Sequence, residues 1–172
     1  QSLIRGPVGE EVTLQLRKAS DNSVYEETLE RETITEETVS SVTLSAYPGT
    51  VYMHISSFTE TTSSDFAAHY NKLLNQGEIE NLILDLRSNG GGNFYACIAI
   101  GEYFVPLNEM VVSEKTSSGS EEHRSSSGQL NGLNVIVLQN AYTASASEVL
   151  IGALKDKADA TLIGTTTYGR VL

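Results

Sequence analysis

The sequence predicts an α/β fold of alternating strands and helices. From residue 51 onward, apolar runs of strand length alternate with segments of helical period. Two runs, Leu82-Ile83-Leu84-Asp85-Leu86 and Leu133-Asn134-Val135-Ile136-Val137-Leu138, are apolar nearly throughout, as in a sheet covered on both faces. A turn and then a helix follow each, the place where α/β proteins put ligand and catalytic groups.

The elements follow in order. Val12, Leu14 and Leu16 alternate with polar residues and predict a half-buried strand. Residues 19–24 are turn-like. Residues 25–44 are dense in Thr and Glu, and Thr33-Ile34-Thr35 and Val42-Thr43-Leu44 are their strand candidates. After the turn Tyr47-Pro48-Gly49-Thr50, Val51 to Ile55 alternate as a strand. Thr62-Ser63-Ser64-Asp65 opens a helix with oxygens able to cap free N–H groups, and Phe66, Tyr70, Leu73 and Leu74 share its inner face. Gly77 is read as its stop. Phe94 to Phe104 reads as a helix and Met110-Val111-Val112 as a strand. Residues 113–132, rich in Ser, Gly and Glu, read as a long exposed loop or hairpin. Ala146 to Lys157 predicts a helix with Val149, Leu150, Ala153 and Leu154 inward, and Thr161-Leu162-Ile163 the last strand, ended by Gly164.

The chain has 172 residues, enough for one domain and a fragment of another. Apolar residues at 40% argue against wholesale disorder, and a net charge of −11 argues against a nucleic-acid or anionic-membrane surface. No run approaches the roughly 18 residues of a membrane span, and no signal-peptide pattern opens the chain. Both ends read as interior sequence, so a longer parent protein is expected. Cys97 stands alone in an apolar run and reads as a buried small hydrophobe.

Two turns carry the candidate chemistry. In Asp85-Leu86-Arg87-Ser88-Asn89-Gly90-Gly91-Gly92 the glycines free the backbone to expose N–H groups that can cradle an anion or an oxyanion. Phosphate-loop spacings are absent, and a plain turn is the simpler reading of the glycines alone. Asp85 and Arg87 are expected to hold the ends of this loop by hydrogen bonds. In Asn140-Ala141-Tyr142-Thr143-Ala144-Ser145-Ala146-Ser147-Glu148 a serine opens a helix, where the helix N-terminus favours negative charge and the Ala146 N–H can point at a developing oxyanion. The plainer alternative is that Ser145 or Ser147 caps the helix, with Ser147 the better cap. A serine nucleophile needs a base. His54 reads as surface-facing on its strand, and His69 and His123 as solvated, so none has the context of a Ser/His pair. No Cys/His pattern of zinc spacing exists, so no metal is expected.

Taken together, these pieces resemble the carboxyl-terminal processing peptidases, or tail-specific proteases. Leu84-Asp85-Leu86-Arg87-Ser88-Asn89-Gly90-Gly91-Gly92 is similar to the family's L-D-L-R-x-N-x-G-G. Thr143-Ala144-Ser145-Ala146-Ser147-Glu148 is similar to its nucleophile motif, and Gly164-Thr165-Thr166-Thr167-Tyr168-Gly169 to its final approach. Tyr52 to Phe58 looks like its first core strand, and Leu3 to Leu14 like the end of its PDZ domain. The resemblance implies a crotonase/Clp-like α/β core preceded by a PDZ remnant. Residues 1–20 would be the C-terminal piece of a PDZ-like domain, 21–48 connecting strands, and 49–172 the peptidase core, whose C-terminal part is expected beyond residue 172.

The same resemblance implies a serine endopeptidase that cleaves exposed C-terminal regions through an acyl-enzyme at Ser145. Ala146 and Gly91 would form the oxyanion hole, with Gly92 beside them. No cofactor is implied. Partners would be proteins or peptides, unfolded or with a free tail, and no nucleic acid; the location would be extracytoplasmic, at a bacterial cell envelope. The family's general-base lysine falls at position 170, where this chain has Arg170. Arginine stays charged and is a poor base. Three alternatives follow: a catalytically inactive relative acting as a peptide-binding or scaffold module, an altered chain end, or another base. Lys155 and Lys157 lie roughly 15 Å from Ser145 by helix rise and are poor substitutes. An acyl-CoA enzyme on the same fold finds little support in the residues.

Overall fold

A computed structural model describes residues 4–33, 37–117 and 119–170. The chain divides into two units, Gln1–Glu36 and Glu37–Leu172. In the first, β1 (Glu11–Arg17) pairs antiparallel with β2 (Val24–Glu30), Leu14 opposite Glu27. Val12, Leu14 and Leu16 are half-buried as expected, whereas every residue of β2 is exposed. The candidate strand Thr33-Ile34-Thr35 lies largely outside the described residues.

The second unit holds β3 (Val39–Thr43), β4 (Thr50–Ile55), α1 (Thr62–Leu74), β5 (Asn81–Asp85), α2 (Phe94–Phe104), β6 (Met110–Thr116), β7 (Gly119–Arg124), β8 (Asn134–Gln139), α3 (Ala146–Lys157) and β9 (Thr161–Gly164). Five strands form one sheet in the order β3-β4-β5-β8-β9. β4, β5, β8 and β9 run parallel, and β3 is antiparallel to β4. β3 joins this sheet, and the second unit begins at Glu37. β6 and β7 form a separate hairpin, the second of the two forms expected for residues 113–132.

One face of the sheet carries the core. Val51, Met53, Ile55, Leu82, Leu84, Val135 and Val137 are buried and pack with Phe66 and Tyr70 of α1, Ile100 and Phe104 of α2, and Leu150 and Leu154 of α3. The other face, with Tyr52, Ile83 and Ile136, is only half-buried. The expectation of a sheet buried on both faces is thus corrected: apolar residues occur on both sides of β5, but burial alternates with the pleat from Asn81 to Leu84, with Asp85 buried at the strand's end. Helix α1 begins at Thr61 as N-cap with no side-chain cap bond, contrary to the expected capping run. Thr62 is drawn inward instead, bonding the Thr38 hydroxyl at 2.7 Å and accepting from the Thr59 N–H at 2.8 Å. The helix stops at Leu74, three residues before Gly77, and Leu74 is exposed rather than inward.

Candidate active site

Parallel strands β5 and β8 end side by side, so the turns that follow them meet. The first turn is anchored by Asp85, which is 1% exposed. Its carboxylate accepts from the Tyr52 hydroxyl at 2.7 Å and from Arg87 at Nε (2.9 Å), Nη2 (2.6 Å) and the backbone N–H (2.9 Å). Burial alone would raise the Asp85 carboxyl, but the Arg87 guanidinium and the Tyr52 hydroxyl hold it below the usual range. The expected role of Asp85 and Arg87 in holding the loop agrees with this geometry.

Asn89, fully buried, joins three segments. Its amide donates to the Ile55 carbonyl at 2.9 Å, and its Oδ1 accepts from the Gly91 N–H at 2.9 Å. Its backbone carbonyl accepts from the Ala144 N–H and the Ser147 hydroxyl, each at 3.0 Å. Across the gap, Thr143 Oγ1 donates to the Leu86 carbonyl at 2.8 Å. These bonds lace the glycine turn to the serine turn.

Two glycines permit that closeness. A Cβ on Gly91 (φ +97°) would stand 2.8 Å from the Ser145 Cβ and 3.0 Å from the Ala146 nitrogen. A Cβ on Gly92 (φ +134°) would overlap the Phe58 carbonyl, which accepts from the Asn93 N–H at 2.7 Å. Only glycine fits at either position.

Ser145 takes the N-cap position of α3 with φ 58° and ψ −124°, a region that side-chain-bearing residues rarely occupy. Ser147 is not the cap: it lies inside the first turn, and Asn89 uses its hydroxyl. Among the described residues, the N–H groups of Ala146 and Gly92 meet no acceptor, whereas the Gly91 N–H is spent on Asn89. Cys97 lies behind the turn and donates its thiol to the Ala146 carbonyl at 3.0 Å. Burial pushes that thiol up to about 12, so it stays protonated and unreactive.

Glu148 is the feature that the sequence reading missed. Each of its carboxylate oxygens accepts two bonds. Oε2 takes the N–H groups of Ser145 (3.0 Å) and Arg170 (2.9 Å). Oε1 takes the Thr167 hydroxyl and the Gly169 N–H, both at 2.7 Å. Partial burial works to raise the Glu148 carboxyl, yet the Thr167, Gly169, Ser145 and Arg170 donors hold it below its ordinary value. The backbone of residue 170 is thereby brought to the same oxygen as the backbone of Ser145. The Arg170 side chain is exposed. A glutamate three residues after the serine was visible as a first-turn acid, but no sequence period marks its bonds to residues 167–170.

No histidine, lysine or arginine nitrogen is hydrogen-bonded to the Ser145 hydroxyl among the described residues. His69 is not free in solvent as expected: Ser41 Oγ lies 2.7 Å from its Nδ1 and Glu37 3.6 Å from its Nε2. His123 is likewise mostly buried, against Phe94 and Tyr95 and 3.7 Å from Glu114. On the β6–β7 hairpin Glu114 stands opposite Glu121, and the potential ligand atoms of Glu114, Glu121 and His123 lie within 4.8 Å of one another. Lys157 pairs with Glu109 at 3.0 Å.

The fold places this chain among α/β proteins in which a glycine turn and a serine-headed helix meet at the ends of parallel strands, and comparison with known proteins gives the family. The sequence profile of "Peptidase family S41" matches residues 49–172. The chain belongs to that family. It is 33% identical over 171 residues to a carboxyl-terminal-processing protease of Synechocystis sp., covering 98% of this chain and 40% of that protein. Against the carboxy-terminal processing protease CtpA of Bacillus subtilis the identity is 32% over 170 residues, 98% of this chain and 36% of that one. The solved photosystem II D1 C-terminal processing protease superposes with a TM-score of 0.66 at 28% identity, covering 96% of this chain and 46% of that chain. The chain thus spans less than half the length of these relatives.

Proposed function

We propose that this chain carries the nucleophile of a serine endopeptidase that cuts exposed C-terminal regions of other proteins. One observation carries the reading: Ser145 occupies a strained turn at the head of α3, with Gly91 pressed against its Cβ and the Ala146 N–H unspent. In this mechanism Ser145 Oγ adds to the scissile carbonyl carbon, and its proton passes to a base. The carbonyl π pair moves onto oxygen, where the Ala146 N–H and the Gly91-Gly92 turn supply donors. Gly92 has a free N–H to offer; Gly91 would exchange its bond to Asn89 for one to the oxyanion. Collapse breaks the C–N bond, the departing amine takes a proton, and water releases the acyl group from Ser145.

The scheme needs a base within reach of Ser145 Oγ. Residue 170 begins beside Ser145, through Glu148, at the place where the resemblance puts a lysine. Lysine can shed its proton when desolvated; Arg170 does not. That residue favours a second reading, a peptide-binding or scaffold module that does not hydrolyse. Substrates would be polypeptides with free tails, without nucleic acid. By the resemblance, the place of work is extracytoplasmic; among the described residues no helix is long and apolar enough to cross a membrane.

Casein hydrolysis by the protein carrying this chain, beside its Ser145→Ala and Arg170→Lys forms, decides between the readings. Activity abolished by Ser145→Ala supports the nucleophile and sends the search to another base. A silent parent awakened by Arg170→Lys supports a peptidase site disabled by one residue. Silence of all three forms removes the peptidase reading in favour of binding.

A further inference from the structure

We propose that Glu148 is a positioning residue for the reaction, setting where residue 170 stands relative to the Ser145 hydroxyl. The inference rests on the reading of Ser145 as nucleophile. A helix-capping role would require only the bond from the Ser145 N–H at the start of α3. The other three bonds do nothing for that helix. They hold Thr167, Gly169 and Arg170, on the segment that leaves β9 after Gly164.

That segment has few other ties. Among the described residues it is held further only by the Tyr168 N–H on the Thr143 carbonyl at 2.9 Å and by Gln139 on the Thr165 carbonyl at 3.1 Å. Thr143 itself belongs to the serine turn, so its bond to Tyr168 reinforces the same docking. One oxygen, Glu148 Oε2, accepts from the backbones of both Ser145 and Arg170. Whatever side chain occupies position 170 therefore starts from a backbone fixed to that of the nucleophile. A carboxylate suits this work because each of its oxygens accepts two bonds and it donates none. A carboxamide of the same size turns two of those acceptor positions into donors that face donors.

The test uses the protein that carries this chain in its Arg170→Lys form, assayed on casein-derived peptides. Glu148→Gln should lower kcat about 100-fold, the scale of a misplacement of about 1 Å, with KM changed less than about twofold. Thr167→Val removes one of the four bonds and should lower kcat about fivefold. In both variants, amide exchange at Gly169 and Arg170 should quicken about tenfold while β4, β5 and β8 stay protected. Unchanged kcat overturns the proposal. So does a loss of kcat with those two amides still protected, or a rise in KM alone. If Glu148→Gln fails to fold, Thr167→Val decides by the same readings. If Ser145→Ala is inert while Glu148→Gln keeps its rate, only the positioning role falls. If Ser145→Ala keeps its rate, or parent and Arg170→Lys are both silent, the nucleophile reading fails and the positioning role falls with it; if the parent is active and Arg170→Lys is silent, only the positioning role falls.

Discussion

Asp85 ties the pH response of the fold to its candidate site. Its carboxylate is buried, and Arg87 and Tyr52 hold it below the usual range. A depressed carboxyl contributes stability that is present above its unfolded value, about 3.9, and is lost as the pH falls through the folded value. Glu148 acts in the same direction. The melting temperature should therefore be flat from about pH 8 to pH 5 and fall below about pH 4. Asp85→Asn should cost about 2 kcal/mol at pH 7, since it weakens bonds to a buried charge. It should also make the acid decline shallower. Calorimetric scans of both proteins between pH 3 and pH 8 check this, and an equally steep decline in the variant would assign the acid response to other carboxylates.

Elements were legible where one physical signal dominated. Helix α3 was predicted with the bounds it has, because its apolar period is clean and Ser145 and Lys157 frame it. β2 was missed, because Val-Tyr-Glu-Glu-Thr-Leu-Glu buries nothing and shows no alternation. The start of α1 was misread for the opposite reason: tertiary bonds to Thr38 and Thr59 claim the Thr62 hydroxyl that local reasoning assigned to capping. The same division runs through the site. Ser145, Ala146, Gly91 and Gly92 lie in two contiguous strings, so a resemblance to the family's motifs could single them out, although the local chemistry alone reads equally as a turn and a helix cap. Asn89 and Glu148 act across 58 and 21 residues, as in the bonds from Ser147 and Gly169, and no local pattern encodes such reach. His69 was misjudged because its partner Ser41 comes from an edge strand 28 residues away.

At the scale of the molecule, the two units rest on unequal foundations. Every residue of the main buried cluster lies at position 39 or beyond. The first unit is a two-stranded hairpin with Val24, Tyr25 and Leu29 exposed, and such a hairpin is marginal in isolation. Residues 37–172 expressed alone should therefore unfold in one cooperative transition, and a peptide of residues 1–36 should show none. Circular dichroism on heating reads both. A fragment 37–172 without a transition would mean that its core depends on segments outside it.

The backbone of Ser145 carries one consequence for the history of the chain. At φ 58° and ψ −124° a side chain sits under strain of about 1–3 kcal/mol, which glycine would not feel. Durability and reactivity pull against each other at this residue, so a lineage with no use for the hydroxyl would become sturdier by discarding it. Comparing Ser145→Gly with Ser145→Ala isolates that tension, since both lack the hydroxyl and only glycine escapes the strain. The glycine form should melt higher, and equal melting would mean that the turn stores nothing. Stored strain would make a serine retained there the mark of a hydroxyl in use, whatever stands at position 170.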